Sequence, residues 1–168
     1  MTTPVFNPEK SLQAILYIAN MNKNKDFHKI FKILYFADRE HACKYGRFIT
    51  GDTYIRMCFG PVPSAIYDLV KNNNYPSLFS VRGYNIEPKA SADTSLLSAS
   101  DMKELDEAIY KYGGLNMGVL TELSHGYAWN SASKNGYMVV EDILKEGGAD
   151  SDYIDFVCEH IALQKSVL

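Results

Sequence analysis

Asp38, Glu40 and His41 fall within four residues of a strongly apolar stretch, and a carboxylate beside a histidine can prepare the imidazole as a general base. Asp38 and His41 are three apart, so a helix places them on one face, whereas Glu40 points elsewhere. One reading is therefore a small hydrolase centred on Asp38 and His41. The favoured reading is structural: an interior polar pair satisfies itself or the backbone of the Thr50-Gly51-Asp52 loop, pinning that loop against the helix. A metal site could draw on Asp38, His41 and His125, but no two histidines have the i, i+4 spacing and no cysteine pair adds ligands, so no metal is expected. Cys43 stands two residues from His41 and points another way, which disfavours a thiol–imidazole dyad. Ser124-His125 makes no triad, and the Gly46 to Gly51 loop lacks the spacing of a phosphate cradle. No cofactor is expected.

The elements that must position these groups are mainly helical. From Phe27 the residues Ile30, Phe31, Leu34, Ala37, Asp38, His41 and Tyr45 recur at steps of three or four, which places Asp38, His41 and Tyr45 on an interior stripe. Ile33 and Phe36 make the opposite side apolar too. This predicts a central helix from about Asp26 to Tyr45, covered on most of its circumference and closed by Gly46 in the left-handed conformation. Before it, Asn7 caps a helix from Pro8 to about Met21. After it, Thr53 to Phe59 alternates as a strand that Gly60-Pro61 ends, and Pro63 begins a helix carrying Ile66, Tyr67, Leu69 and Val70 inward. Segments near Leu78 to Arg82 and Tyr84 to Glu87 are expected to add to that strand in a small antiparallel sheet. Lys89 to Ser95 reads as an exposed loop. Ser98 and Asp101 form a capping box opening a helix to Tyr112, and shorter helices follow at Met117 to His125 and Ala128 to Ser133. A last helix spans about Ser151 to Lys165. The fold class is α with a small antiparallel β-sheet, in one domain over residues 1–168.

With 168 residues, 46% hydrophobic and 22% charged, the chain matches an ordinary globular protein. No apolar run approaches a membrane span, and Met-Thr-Thr-Pro lacks the features of a signal peptide, so a cytoplasmic location is expected. Cys43, Cys58 and Cys158 are read as reduced, packed thiols. The net charge of −3 gives no general attraction to phosphate; Lys23, Lys25, Lys29 and Lys32 are expected to form a basic patch, yet without a helix-turn-helix no direct nucleic acid binding is expected.

Four blocks carry a resemblance: Ile33-Leu34-Tyr35-Phe36-Ala37-Asp38-Arg39-Glu40-His41, Tyr45-Gly46-Arg47, Ile49-Thr50-Gly51-Asp52-Thr53-Tyr54, and Gly60-Pro61-Val62-Pro63-Ser64, with a weaker echo in Glu122 to His125 and Ala128-Trp129. In these the chain resembles the Panacea, SocA-like antitoxin family of bacteria and their phages. The resemblance implies a non-enzymatic antitoxin of a toxin–antitoxin system that binds a cognate protein toxin and abolishes its toxicity. For the SocA type it also implies an adaptor that delivers the toxin to the ClpXP protease.

The residue pattern places the partner-binding surface on Thr50, Asp52, Tyr54, Arg56, Met57, Gly60 and Pro61. Tyr54, Arg56 and Met57 project from a strand beside a stiff turn, where little entropy is lost on binding. Asp38, His41, Tyr45, Gly46, Gly51, Pro63, His125 and Trp129 are assigned to the supporting structure, Trp129 as core in preference to interface anchor.

Overall fold

Asn7 opens the first helix as expected. In the computed structural model, which describes residues 1–168, its side chain accepts from the Lys10 N–H at 3.1 Å and Pro8 takes the first position of α1 (Pro8–Met21). Asp26 caps α2 (Phe27–Tyr45), and Gly46 closes it at φ 76°. The helix is buried almost continuously from Phe27 to Asp38, because α1 and four later elements pack around it. A helix enclosed on every side takes its polar residues inside with it. Lys29 and Lys32 are therefore buried instead of lying in a surface patch, and the Lys29 ammonium donates to the Leu115 carbonyl at 2.5 Å. Tyr45 departs from the expected stripe as well: in the last turn, beyond the enclosing elements, it is 45% exposed and its ring leans on His41.

The segment expected as one strand is a hairpin. β1 (Tyr54–Met57) turns through Cys58-Phe59 into β2 (Gly60–Pro63), with Tyr54 opposite Pro63 and Met57 opposite Gly60. Gly60-Pro61 thus starts the return strand instead of ending the segment. Pro61 and Pro63 alternate, so their missing N–H groups fall where β2 faces away from β1, and the next N–H, of Ser64, donates to Thr53 at 3.0 Å. Helix α3 (Ser64–Asn72) follows, with Ile66 and Val70 buried and Tyr67 and Leu69 packed at the edge of the core. The outer edge of β1 is occupied by residues 135–138, through Arg56 N–H to Gly136 at 2.9 Å and Met138 N–H to Tyr54 at 2.9 Å.

The pair β3 (Phe79–Arg82) and β4 (Asn85–Pro88) is a second, separate sheet and does not extend β1–β2. Its free edge is taken by the entry to α2: Phe27 N–H donates to Tyr84 and Ile86 N–H to Lys25. The Lys89 to Ser95 loop is open but tethered, since Asn20 and Gln13 side chains hold Ala92 and Asp93. Helix α4 (Ala99–Tyr112) carries the full capping box. Then come α5 (Met117–Ser124), α6 (Tyr127–Ser131), α7 (Val140–Glu146) and α8 (Ser151–Ser166). One cluster of 33 buried apolar residues, centred on α2, draws on every helix but α3's exposed face and on both hairpins. The result is mainly α with two small antiparallel sheets, and no helix is long and apolar enough to cross a membrane.

Candidate partner-binding surface

Asp38 and His41 share a helical face but do not meet. Asp38 is enclosed and accepts four hydrogen bonds: from Ile49 N–H at 2.7 Å, Thr50 N–H at 3.3 Å, Thr50 Oγ1 at 3.0 Å and the Tyr54 hydroxyl at 2.7 Å. Burial pushes its carboxyl up to about 6, against the pull of those donors. His41, fully buried, turns the other way. Its Nδ1 lies 2.8 Å from the Arg47 carbonyl, and its Nε2 faces Ser100 Oγ at 2.8 Å and Asp101 at 3.3 Å. Desolvation lowers its pKa, favouring the neutral ring that donates through Nδ1. Asp101 is in turn held by Lys10 at 2.7 Å and Arg47 at 3.0 Å; burial alone would raise its pKa, but Lys10, the Ser98 N–H and Arg47 together bring it below its ordinary value.

The loop after α2 is therefore pinned at two points, near Arg47 by His41 and at Ile49 to Thr50 by Asp38. Gly51 continues it at φ 73°, where a side chain would collide with the Val5 backbone. Thr50 Oγ1, while donating to Asp38, lies 3.3 Å from the Asp52 N–H. Asp52 then accepts from Thr53, Ala65 and Ile66 N–H at 2.7, 3.1 and 2.8 Å. Pro63 offers no capping side chain, so Asp52 supplies the cap for α3 from across the hairpin. The chain Asp38–Thr50–Asp52 ties both ends of the β1–β2 hairpin to rigid helices.

What reaches solvent is the far end. Met57, Cys58 and Phe59 are exposed, Phe59 at 67%. Of the residues assigned to the surface from the sequence, Thr50, Asp52, Tyr54, Gly60 and Pro61 are buried, Arg56 is half-buried with its guanidinium donating to the Ala132 carbonyl at 2.7 Å, and Met57 is exposed. Tyr54 is turned inward because its hydroxyl completes Asp38 and its ring packs edge-on against Tyr35. Trp129 is half-buried and packs against the edge of the core: its indole N–H donates to the Met57 carbonyl at 3.0 Å, Arg56 lies over its face at 3.9 Å, and His125 stacks on it at 3.7 Å. His125 thus stacks on Trp129, and no three His, Cys, Asp or Glu side chains gather as a metal site.

Sequence reading missed Phe59, Lys32 and Glu146. Glu146 accepts from Tyr35 at 2.6 Å, Arg39 at 3.0 Å and the Ala128 N–H at 3.1 Å, locking α6 to α2. Lys32 is 2% exposed and lines a cavity of about 460 Å³ beneath the hairpin, with Phe31, Ile55, Phe59, Val62 and Tyr67 among its walls. The signal for Lys32 was present in the apolar residues on both sides of α2.

The family model for the antitoxin SocA-like Panacea domain matches residues 30–130, which contain all but the first three residues of α2, the pinned loop, both hairpins and Trp129. No curated protein and no solved structure matches the chain.

Proposed function

The chain belongs to the SocA-like antitoxin family through its Panacea domain, and from that membership we propose that it neutralises a cognate protein toxin by binding it directly. The supporting observation is the exposed apolar tip Met57-Cys58-Phe59 on a hairpin whose base is tied to α2 by Asp38 and to α3 by Asp52. An apolar group already held in place loses little entropy on binding. Phe59 is the anchor, Met57 flanks it, and Arg56 resting on Trp129 supplies a cationic edge. Thr50, Asp52, Tyr54, Gly60 and Pro61 hold this surface from behind. Neutralisation follows from covering the toxin, in the cytoplasm, and requires no proton or group transfer from Asp38 or His41, both of which are spent on holding the loop.

Coexpression with the product of the neighbouring reading frame tests this reading. The expected result is growth arrest by that product alone, recovery with the wild-type chain, copurification of the two, and no recovery with a folded Phe59→Asp variant. A product harmless alone that never copurifies, or equal recovery with Phe59→Asp, refutes it. Toxin half-life in cells lacking ClpXP separates covering from delivery: an unchanged half-life is expected, and a lengthened one assigns the chain an adaptor role.

A further inference from the structure

Lys32 is a buried cation without a counter-ion. It is 2% exposed, yet its ammonium has one long hydrogen bond, 3.5 Å to the His28 carbonyl of its own helix, and takes part in no ion pair. The acidic group that acts on it, Asp26, is occupied by the His28 N–H at 2.8 Å and the His28 ring at 3.1 Å. Burial drives the ammonium pKa down to about 8, so it is still mostly charged at neutral pH. A charge in this position is costly unless something pairs with it. Gly60 makes room for it: a Cβ there would stand 3.0 Å from Lys32 Cε and 2.5 Å from Ser124 Oγ.

Lys32 lines the cavity with the end of its side chain beside Gly60, another lining residue, and the remaining walls are chiefly apolar: Phe31, Ile55, Met57, Phe59 and Val62. Its volume, about 460 Å³, is within the range of small-ligand sites. An occupant must combine an acceptor of negative charge with an apolar body. The exposed Met57 and Phe59 continue the wall outward, so the occupant extends beyond the cavity, as a polypeptide does. An internal Asp or Glu would bring a carboxylate without the apolar body and would drag two backbone arms towards a buried floor. A chain end carries side chain and carboxylate on one α-carbon and enters singly. We propose that this cavity captures the C-terminal carboxylate of a partner polypeptide ending in a large apolar residue, with Lys32 as the counter-charge. Asp68, which also lines the cavity, disfavours occupants with further acidic groups beside the terminus. This inference needs a polypeptide ligand; it does not need that ligand to be a toxin.

The test is titration of the full chain with the peptide acetyl-Gly-Ser-Leu-Phe, as free acid and as C-terminal amide, read by calorimetry and by amide NMR shifts. The acid is expected to bind about tenfold or more tightly than the amide, with saturable shifts at Met57 to Val62, and Lys32→Met is expected to erase the difference. The acid–amide comparison in the wild-type chain stands even if Lys32→Met fails to fold. Equal binding of acid and amide, shifts elsewhere, or no binding overturns the proposal. Titration with 4-phenylbutyrate and its amide separates the sources: charge-dependent binding of the small acid with none of the peptide overturns the polypeptide assignment and makes the cavity a metabolite site. Failure of the peptide leaves growth rescue by the wild-type chain unaffected, so the two readings fail separately.

Discussion

Replacing Asp38 by Asn should reverse the usual expectation for a buried, fully bonded carboxylate. Asp38 accepts four hydrogen bonds, and four donors would ordinarily hold such a group below its unfolded pKa. Enclosure outweighs them, and the carboxyl rises from 3.8 to about 6. The unfolded chain then gives up this proton at lower pH than the folded one. Between those values the folded state keeps a proton that the unfolded state has released, so this group contributes most to stability below about pH 4, and the contribution falls as the pH rises through 6. At about 1.4 kcal/mol per pKa unit the loss is about 3 kcal/mol. Asn carries no charge and keeps most of the geometry: its carbonyl accepts from the Ile49 and Thr50 N–H groups, while the Thr50 and Tyr54 hydroxyls rotate to accept from its NH2. Urea unfolding followed by far-UV circular dichroism, run on both proteins from about pH 3.5 to 7.5, isolates the site, because Asp52, Asp101 and His41 cancel in the difference. The stability of the wild type relative to Asp38→Asn should fall by about 3 kcal/mol across that range. A flat difference, or one that grows in favour of the wild type, would mean that the hydrogen bonds and not burial govern this group.

Gly51→Ala should cost about 3 kcal/mol or more in the same unfolding assay, because a left-handed backbone and a collision with the Val5 carbonyl act together; a loss under about 1 kcal/mol would show that the loop is not pinned. Under native conditions a thiol reagent should label Cys58 at once and Cys43 only on unfolding, since Cys58 is exposed at the hairpin tip and burial pushes the Cys43 thiol up to about 11. Mass-spectrometric mapping of the labelled sites checks this, and early labelling of Cys43 would contradict the packing of α2 against α7.

The helices were legible where side chains signal them locally. Asn7-Pro8, the Ser98–Asp101 box and Gly46 each settle an end through one or two residues, and α1, α2 and α4 lie where those residues place them. The β1–β2 hairpin was half legible. Alternation from Thr53 marked the first strand, but prolines at 61 and 63 read as breakers, and their tolerance depends on which side of β2 faces its partner, a tertiary fact. The polar stripe on α2 told that Asp38 and His41 are interior, without telling that a three-residue step leaves them room to diverge, one to Thr50 and Tyr54, the other to Arg47 and Ser100. Tyr54 and Met57 show the limit for the site. Alternation sets them on opposite faces of the strand, nearness to the stiff turn assigns both to candidate surface, and only the position of Asp38 beneath the strand decides that Tyr54 turns in. The charge of Lys32 reads as surface, whereas apolar Ile33 and Phe36 beside it leave α2 no free side.

The claim that the clamped hairpin is a binding platform is tested most directly by the dissociation constant of the neighbouring reading frame's product for the wild type, Phe59→Asp and the remote exposed control Tyr110→Asp. Loss of a central anchor is expected to weaken binding about 30-fold or more in Phe59→Asp, with Tyr110→Asp matching the wild type and all three proteins equally folded. A Phe59→Asp chain that binds as tightly as the wild type would place the toxin elsewhere on the molecule.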